Sequence, residues 1–428
     1  MKDDFRDLFI GVNEEIKLSK GNKVLPINFD NAATTPSFKE NLKAIEYMLN
    51  LYSSIGRGVG YRENFCNEFY ENSKSKILDF FRVKNKEKYT AIYVKNATEG
   101  LNLLGKALSD KKNYVISTRM EHHANDLPWR EYGNVLYIEV DNLGRLKKEE
   151  IEESIKRYKG RVKYLTITGA SNVTGYLNPI YEIAKIAHDN NIKIIVDGAQ
   201  LVSHREINIE GTGKGDNIDF LVFSAHKIYA PFGLGVVIAL KEEIEKKEPL
   251  LRGGGAVDLV SDSKVFLDTE PERFEAGTQN LIGVCALLSS LRIIKNIGFE
   301  KIKAKEERLK NLLIKGLEDI NKVILYGDSN YEERTGVVVF NIEGIYHEDM
   351  AKRLADFRGI SIRNGSFCAH PYVRRLLNLK EEEFLKYAYK DLKRPGMLRA
   401  SLGLYNTESE VYEFLNCIEL LKDKDFKI

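Results

Sequence analysis

Cysteine is scarce in this chain of 428 residues, and the four that occur are far apart. Cys66, Cys285, Cys368 and Cys417 form no CxxC pair. Neither a disulfide framework nor a structural zinc site is therefore expected, and a reducing compartment fits this pattern best. We predict a cytoplasmic location.

An excess of charge of one sign is also missing. The 65 basic and 63 acidic side chains leave a formal net charge of +2. Nucleic-acid and membrane-surface proteins need a basic excess to neutralise phosphates, so neither kind of partner is expected. No uninterrupted apolar stretch approaches the length of a membrane span. The first four residues, MKDD, include no apolar signal core.

Short β-branched or aromatic runs alternate with amphipathic segments between about residues 89 and 240. The predicted strands are 89–94, 113–117, 135–140, 162–168, 192–196, 220–224 and 235–240. Helical patterns lie between several of them, such as 98–108 and 179–189. This alternation predicts an α/β fold with a mainly parallel, seven-stranded sheet. Ligands of such sheets bind beyond the carboxyl ends of the strands.

The pattern changes after about residue 274. Helical patterns cover 281–296 and 300–317, followed by predicted strands at 336–342 and 360–363 and helices at 348–357 and 408–421. We therefore predict a large domain over residues 28–275 and a smaller C-terminal α+β domain over 276–428. Residues 1–27 are expected to pack on the smaller domain.

Two strand ends carry the residues that pyridoxal 5'-phosphate (PLP) chemistry needs. Asp197 follows the apolar run 194–196, and Lys227 follows the predicted strand 220–224 at a distance of three residues. The lysine can hold the cofactor as a Schiff base and move protons, and the aspartate can keep the pyridine nitrogen protonated. Either residue alone would be better interpreted as a surface lysine or a helix-capping aspartate. The pair predicts a PLP site with Lys227 as its anchor.

A phosphate cradle is predicted where residues 96–100 follow a strand and open a helix, because backbone N–H groups there face an anion. Thr98 can add a hydroxyl, with Ser224 and His226 approaching from the lysine strand. Thr98 taken alone is better interpreted as an ordinary helix N-cap. One imidazole of the segment 121–125 can stack on the cofactor ring, although a lone histidine is more often structural.

Eight segments match a known family in order along the chain: NFDNAAT (28–34), EHHAN (121–125) with PW (128–129), SNVTG (171–175), DGAQ (197–200), FSAHK (223–227), GGG (253–255), FEAGT (274–278) and RASLGLYN (399–406). The chain resembles fold-type I PLP enzymes of the class V aminotransferase superfamily. Within it, the chain is most similar to group II cysteine desulfurases and selenocysteine lyases.

The resemblance implies roles around the cofactor ring. Lys227 would carry the Schiff base, Asp197 would pair with the pyridine nitrogen, and Gln200 would reach the phenolic oxygen. His122 would stack on the ring. Asn172 would lie beside the cofactor and the substrate.

Further roles concern the phosphate and the quaternary structure. The resemblance implies that Thr98, Ser224 and His226 hold the phosphate. It also implies that Thr278 reaches the phosphate of the other subunit's cofactor, so that the enzyme is a homodimer with two shared sites.

Substrate recognition is implied at Arg399, which matches the arginine that fixes the substrate α-carboxylate. A guanidinium group suits a carboxylate because it donates two parallel hydrogen bonds. Asn172 would assist, and Arg363 is a second candidate for the carboxylate. An ordinary salt bridge is the alternative for Arg399.

Cys368 matches the cysteine that attacks the substrate sulfur in desulfurases and keeps it as a persulfide. Such a thiol must ionise, and the nearby cations Arg363, His370, Arg374 and Arg375 can favour that. A packing cysteine is the alternative. Two departures lie near the substrate: SF (366–367) stands where group II enzymes have two histidines, and GRGVG (56–60) lacks the histidines that flank the family's Arg-Gly element.

We therefore predict an enzyme that converts L-cysteine to L-alanine and leaves a persulfide on Cys368 for a sulfur-acceptor protein. A first alternative is another class V activity, such as transamination, epimerisation or C–S lysis of a different amino acid, with Cys368 not involved. A second is a PLP-binding protein with a regulatory or scaffolding role. The Lys227, Asp197 and Arg399 set argues against the second, because binding alone needs neither an electron sink nor a base.

Overall fold

The structure is a computed structural model that describes residues 5–19, 21–56, 58–388 and 392–423. Two sequence observations fall outside the described residues. They are the N-terminal residues 1–4 and Arg57 of the GRGVG segment.

The strands are short and number seventeen in the described part of the chain. In chain order they are β1 (Ile16–Lys17), β2 (Lys23–Val24), β3 (Ile27–Asn28), β4 (Tyr89–Val94), β5 (Tyr114–Thr118), β6 (Asn134–Ile138), β7 (Val162–Thr168), β8 (Lys193–Asp197), β9 (Phe220–Ser224), β10 (Gly235–Leu240), β11 (Val257–Val260), β12 (Val265–Leu267), β13 (Val323–Leu325), β14 (Val337–Ile342), β15 (Ile360–Ser361), β16 (Arg363–Gly365) and β17 (Met397–Ser401).

The α-helices are α1 (Lys39–Leu51), α2 (Tyr61–Phe80), α3 (Ala97–Leu108), α4 (Leu127–Tyr132), α5 (Glu149–Arg157), α6 (Ile180–His188), α7 (Lys241–Ile244), α8 (Leu281–Ile297), α9 (Phe299–Glu318), α10 (His347–Arg358), α11 (His370–Leu376), α12 (Glu381–Leu385) and α13 (Glu408–Leu421). Short 3₁₀ helices lie at Arg6–Leu8, His123–Asn125, Ala225–Lys227 and Glu272–Phe274.

Seven strands form the central sheet, in the order β4-β10-β9-β8-β7-β5-β6. β10 is antiparallel to both of its neighbours, and the other pairs are parallel. The predicted mainly parallel sheet is confirmed, with strand bounds that differ by at most two residues. The largest difference is at β6, which ends at Ile138 because Val140 forms an isolated bridge with Leu146 instead.

Helices cover both faces of this sheet, which explains why its strands are apolar throughout. One face packs in a core with α1, α2, α6 and α8, and the other packs against α3 and α4. In the described residues, no single helix is long and apolar enough to cross a membrane, although α8 and α9 together reach that length with a bend of 79°. Much of α8 is buried in the larger core.

The smaller C-terminal unit is built on the antiparallel sheet β13-β14-β17-β16. Helices α9, α10 and α13 share its core. The single predicted strand 360–363 is two strands in the structure: β15 pairs with β3, and β16 pairs with β17. The pairing of β16 with β17 sets Arg363 opposite Arg399, so two arginines meet where this sheet faces the larger unit.

The division between the two units is not a single point in the chain. Phe9 and residues of α8 lie in the larger core, whereas Ile27 and Phe29 lie in the smaller one. Arg6 forms an ion pair of 2.7 Å with Glu410 on α13. The N-terminal segment therefore contacts both units, and the larger core continues beyond residue 275.

A buried carboxylate joins α9 to the larger unit. Glu306 accepts from His204 at 2.5 Å, from Arg205 at 2.8 Å and from the N–H of Gly336 at 2.8 Å. Replacing Glu306 with Gln should lower the free energy of unfolding by about 3 kcal/mol, because it leaves the partly buried Arg205 guanidinium without a counter-charge. Urea unfolding at pH 7 measures this change.

Glu307 provides the matched control for that variant. It forms only a half-exposed ion pair with Lys303 at 3.7 Å, so Glu307→Gln should change stability by less than about 0.5 kcal/mol. Equal effects of the two substitutions would contradict the role of Glu306.

Acid should also distinguish Glu306→Gln from the parent protein. Burial opposes ionisation of Glu306, but His204, Arg205 and the Gly336 N–H lower its pKa from 4.5 to about 2. Because the folded pKa is the lower one, the stabilisation is complete above the unfolded value and is lost as the pH falls towards 2. The parent protein should lose more stability than Glu306→Gln over that range of pH.

Candidate active site

A cavity of about 350 Å³ lies beyond the carboxyl ends of β7, β8 and β9. It brings together every predicted site residue except Thr278. Those that line it are Thr98, His122, Asn172, Asp197, Gln200, Ser224, His226, Lys227, Arg363, Cys368 and Arg399.

Asp197 and Lys227 lie at the carboxyl ends of two neighbouring strands, β8 and β9. Asp197 is the last residue of β8 and pairs with Val222 of β9, while Lys227 ends the 3₁₀ turn that follows β9. Burial lowers the pKa of Lys227 to about 8, although the Asp197 carboxylate opposes that shift. Burial also raises the pKa of Asp197, and the N–H of Ala199 and the charge of Lys227 act in the opposite direction.

The local sequence explains why these groups come to this edge. Every residue of β9 and nearly every residue of β8 is buried, so a polar side chain is accommodated only where each strand ends. Gly198 allows the chain to turn directly after Asp197, because a Cβ there would lie 2.7 Å from the Leu221 side chain.

The N-terminus of α3 borders the same cavity. Its N-cap is Asn96, whose side chain accepts from the N–H of Glu99 at 3.0 Å. The interpretation of Thr98 as the N-cap is therefore wrong, since Thr98 is the second residue of the helix. The Ser224 hydroxyl accepts from the N–H of Ala97 at 2.7 Å, which fixes the lysine strand against this helix end.

Gly235 of β10 permits a close approach at this point, because a Cβ would lie 2.6 Å from the backbone of Asn96. His226 lies 3.1 Å from the Thr34 hydroxyl. Burial, with the charge of Lys227, lowers the pKa of His226 to about 4. A phosphate bound here would meet several donors. They are the N-terminus of α3, the hydroxyl groups of Thr98 and Ser224, and the neutral imidazole of His226.

His122 is held as a neutral ring. Burial lowers its pKa to about 3, and the charges of Lys227, His123 and Arg399 contribute. Its Nδ1 accepts from the N–H of Ala124 at 3.1 Å, so the ring proton is on Nε2.

Gln200 lies nearby, in the turn after β8. Its Nε2 donates to the carbonyl of Ala32 at 2.6 Å, and the Ala32 N–H donates to Ser401 at 2.9 Å. These bonds connect the segment 28–34, the DGAQ turn and β17 around one side of the cavity.

Arg399 is buried, with 3% of its surface exposed. It donates to the Asn172 carbonyl at 2.9 Å and to Asp30 at 3.1 Å, and Arg363 pairs with Asp30 at 2.8 Å. The Arg399 Nε is buried and has no hydrogen-bond partner among the described residues. Two arginines that line the cavity thus share one carboxylate.

Cys368 is the exposed cysteine, whereas Cys66, Cys285 and Cys417 are buried free thiols. Three of the cations predicted to favour its ionisation have acidic partners of their own, and Arg363 with Asp30 is one of them. Arg375 pairs with Glu139 at 2.6 Å, and Arg374 with Glu381 at 3.8 Å.

The fourth predicted cation, His370, carries no charge at neutral pH. Burial lowers the pKa of His370, so this imidazole is neutral. The electrostatic interactions of Cys368 are with Lys227 and Arg399.

Three contributors were missed by the sequence interpretation. Asp30 lies in a matched segment, but only the fold shows that it pairs with Arg399. Asn96 was detectable from its spacing to Glu99, the pattern of a helix cap. His123 contacts the Cys368 loop through its backbone and its ring.

Thr278 is exposed and does not line this cavity. The N–H of the preceding Gly277 donates to the carbonyl of Gly254 at 2.8 Å, which joins the FEAGT and GGG segments. Its predicted contact with a second subunit stays a prediction.

Comparison with known proteins places this geometry in a family. Residues 27–414 match the family described as Aminotransferase class-V. A probable cysteine desulfurase of Pyrococcus abyssi is 33% identical over 405 residues, covering 92% of this chain and 94% of that protein. A cysteine desulfurase of Shigella sonnei is 31% identical over 406 residues, covering 92% and 93%.

Solved structures agree with that assignment. The apo structure of a cysteine desulfurase from Thermococcus onnurineus NA1 superposes with a TM-score of 0.81 at 33% identity, covering 92% of this chain and 94% of the other. A cysteine desulfurase of Escherichia coli, 24% identical, shares the fold with a TM-score of 0.79 over 97% of this chain and 96% of its own. The chain belongs to the class-V aminotransferase family of PLP-dependent enzymes, and the fold is that of fold-type I.

Proposed function

We propose that the chain is a cysteine desulfurase, which converts L-cysteine to L-alanine and keeps the sulfur as a persulfide on Cys368. The observation that carries the proposal is a single cavity lined by Asp197, Lys227, Arg399 and Cys368. The names of its relatives support the same activity.

The cavity fits pyridoxal 5'-phosphate by the chemistry of its donors. The N-terminus of α3, with Thr98, Ser224 and His226, would hold the phosphate, and the buried Asp197 carboxylate would accept a hydrogen bond from the pyridine nitrogen and keep that nitrogen protonated. When bound, the cofactor supplies an electron sink for the negative charge that forms at the substrate Cα.

Two further side chains, His122 and Gln200, would contact the cofactor ring. His122 offers the face of a neutral imidazole, and a neutral ring can stack without repelling a protonated pyridine. Gln200 would reach the phenolic oxygen from the turn after Asp197. Its contact with Ala32 fixes the position of its amide.

Lys227 would act first as the covalent anchor and then as the base. A pKa of about 8 leaves a useful fraction of the amine neutral near pH 7. The neutral amine can therefore accept the Cα proton of the substrate. Asp197, on the neighbouring strand, supplies a counter-charge once Lys227 is protonated.

Arg399 would bind the substrate carboxylate. Asp30 and the Asn172 carbonyl hold the guanidinium in one orientation beside the cavity. Arg363 lies opposite on β16 and adds a second positive charge. The pair favours an amino acid with a free α-carboxylate.

Cys368 would take the sulfur. Its thiolate attacks the substrate sulfur and forms an S–S bond, while the Cβ–S bond breaks with its electron pair left on Cβ. That carbon takes a proton and alanine leaves. Arg399 lines the same cavity and places positive charge near the reacting sulfur atoms.

We also infer a homodimer in which Thr278 contacts the cofactor of the second subunit. Thr278 is exposed beside the GGG segment, and the neighbouring hairpin β11–β12 exposes Leu259, Val260, Val265 and Phe266. A patch of exposed apolar side chains is typical of a surface that another protein chain covers.

An acceptor and a compartment complete the proposal. A persulfide on an exposed Cys368 is open to a sulfur-acceptor protein. Free thiols in all four cysteines support the cytoplasmic location.

Borohydride treatment of the holoenzyme should fix the cofactor covalently on Lys227, because this lysine lines the cavity and its amine loses a proton readily. Peptide mapping by mass spectrometry locates the adduct. An adduct on any other lysine would show that the anchor is misassigned.

Replacing Arg399 with Ala should raise the KM for L-cysteine by about 30-fold or more, the scale of one charge-assisted bond pair of 2–3 kcal/mol. The absorption spectrum of the bound cofactor should remain. Arg363→Ala is the comparison, and since this side chain is half-exposed, its effect should be smaller. A larger effect at Arg363 would move the carboxylate site there.

Cys368→Ser should reduce alanine formation from L-cysteine by about 100-fold or more, because a hydroxyl of similar size is a poor nucleophile towards sulfur. Exchange of the substrate Cα proton with solvent deuterium, which needs only Lys227 and the cofactor, should persist. Mass analysis after alkylation should detect a persulfide on the parent enzyme and none on the variant.

Cys417→Ala is the matched control, since Cys417 is a buried thiol in the smaller core. It should keep nearly normal activity. Normal alanine formation by Cys368→Ser would instead favour another class V activity in which Cys368 is not involved.

A further inference from the structure

The segment that carries Cys368 has an unusual backbone. Phe367 and Cys368 have φ angles of 51° and 53°, in the left-handed region that side chains other than glycine rarely adopt. Two such residues in succession need contacts from outside the segment to hold them. The structure places those contacts on the larger unit.

Three hydrogen bonds hold this segment. The Asn172 side chain donates to the Phe367 carbonyl at 2.8 Å, and the N–H of His123 donates to the Cys368 carbonyl at 2.7 Å. The N–H of His370 donates to Nε2 of the His123 ring at 3.2 Å. His123 thus contacts the chain on both sides of Ala369, once through its backbone and once through its ring.

His123 is itself firmly placed. The neighbouring Glu121 is buried and accepts from Thr118 at 2.6 Å, from the Asn125 side chain at 2.6 Å and from the N–H of Thr168 at 3.1 Å. These partners lie at the ends of β5 and β7 and in the turn that contains His123. The sheet edge therefore supplies a rigid anchor for the segment that follows β16.

The ring bond requires a neutral imidazole, since Nε2 accepts. Burial lowers the pKa of His123, and His370 adds to the effect, while Asp126 opposes it and Arg130 supports it. The His370 ring packs edge-on to the His123 ring at a centroid distance of 4.6 Å. The ring is thus held as an acceptor at neutral pH.

We propose that His123 is a positioning residue for Cys368. By accepting from the N–H of His370, its ring fixes the end of the Cys368 segment, so that the thiol lies over the cavity within reach of the charges on Lys227 and Arg399. This inference rests on the proposed desulfurase function for its kinetic consequences, although the geometry it describes is independent of turnover.

Two variants separate the acceptor from the volume of the ring. In His123→Gln, the side-chain oxygen can reach the position of Nε2 and accept from His370. In His123→Leu, the volume is similar and no acceptor remains. Both keep the backbone N–H that donates to Cys368, so any difference between them reports the ring bond.

In the holoenzyme, His123→Leu should lower kcat for alanine formation by about tenfold or more, with KM for L-cysteine within about twofold, because Asp30 and the Asn172 carbonyl still hold Arg399. His123→Gln should stay within about threefold of the parent. Deuterium exchange at Cα of L-alanine should be unchanged in both, since it needs Lys227 and not Cys368.

A second measurement needs no turnover. Iodoacetamide should alkylate Cys368, the exposed cysteine, several-fold more slowly in His123→Leu at pH 7, because the thiol leaves the field of Lys227 and Arg399. The rate in His123→Gln should match the parent. If the parent does not convert L-cysteine, the proposed function fails, and this alkylation rate still decides the role of His123.

The remaining outcomes overturn the proposal. Parent-like kcat and alkylation in His123→Leu would show that the ring bond has no positioning role. An equal decrease of kcat and of the alkylation rate in both variants would show that the hydrogen-bond acceptor at residue 123 does not position Cys368. A parallel loss of Cα exchange would show that the substitution acts through His122 and the cofactor.

Discussion

The attraction between Asp197 and Lys227 is the interaction on which the site depends. Burial raises the pKa of Asp197 and lowers that of Lys227 to about 8, and each charge opposes the shift of the other. Asp197 can therefore stay ionised and bind a protonated pyridine nitrogen, while the Lys227 amine beside it gives up its proton readily. Since β8 and β9 run parallel, both groups emerge at one edge, and an antiparallel pair would send them to opposite edges.

A second ion pair orders the substrate side of the cavity and links the two units. Asp30 bridges to Ser401 of β17 through its backbone, and its carboxylate contacts both Arg399 and Arg363. One carboxylate between two guanidinium groups leaves positive charge in excess. An excess of positive charge beside the buried Arg399 is stabilised by an anion, so the same arrangement that fixes Arg399 also favours a ligand with a carboxylate.

Local patterns predicted what local physics decides. Strands buried on both faces give continuous apolar runs, so β4, β7, β9 and β10 could be delimited to the residue, and the polar groups that end β8 and follow β9 identified the site. The pairing of Asp30 with Arg399 spans 369 residues and leaves no local pattern. The sequence also did not show which core α8 belongs to. An apolar helix near a domain boundary has the same pattern whether it packs in the larger or in the smaller core.

The Ser366-Phe367 departure changes the chemistry of the Cys368 segment without removing its support. Phe367 is buried, and its ring centroid lies 5.0 Å from the Arg399 guanidinium. A histidine there could carry a charge beside Arg399, whereas a phenyl ring offers a neutral face that attracts the cation. The outside bonds on the segment reach the backbone of residues 367, 368 and 370. Because backbone groups accept and donate whatever the side chain, the cysteine can be held over the cavity without the family's two histidines.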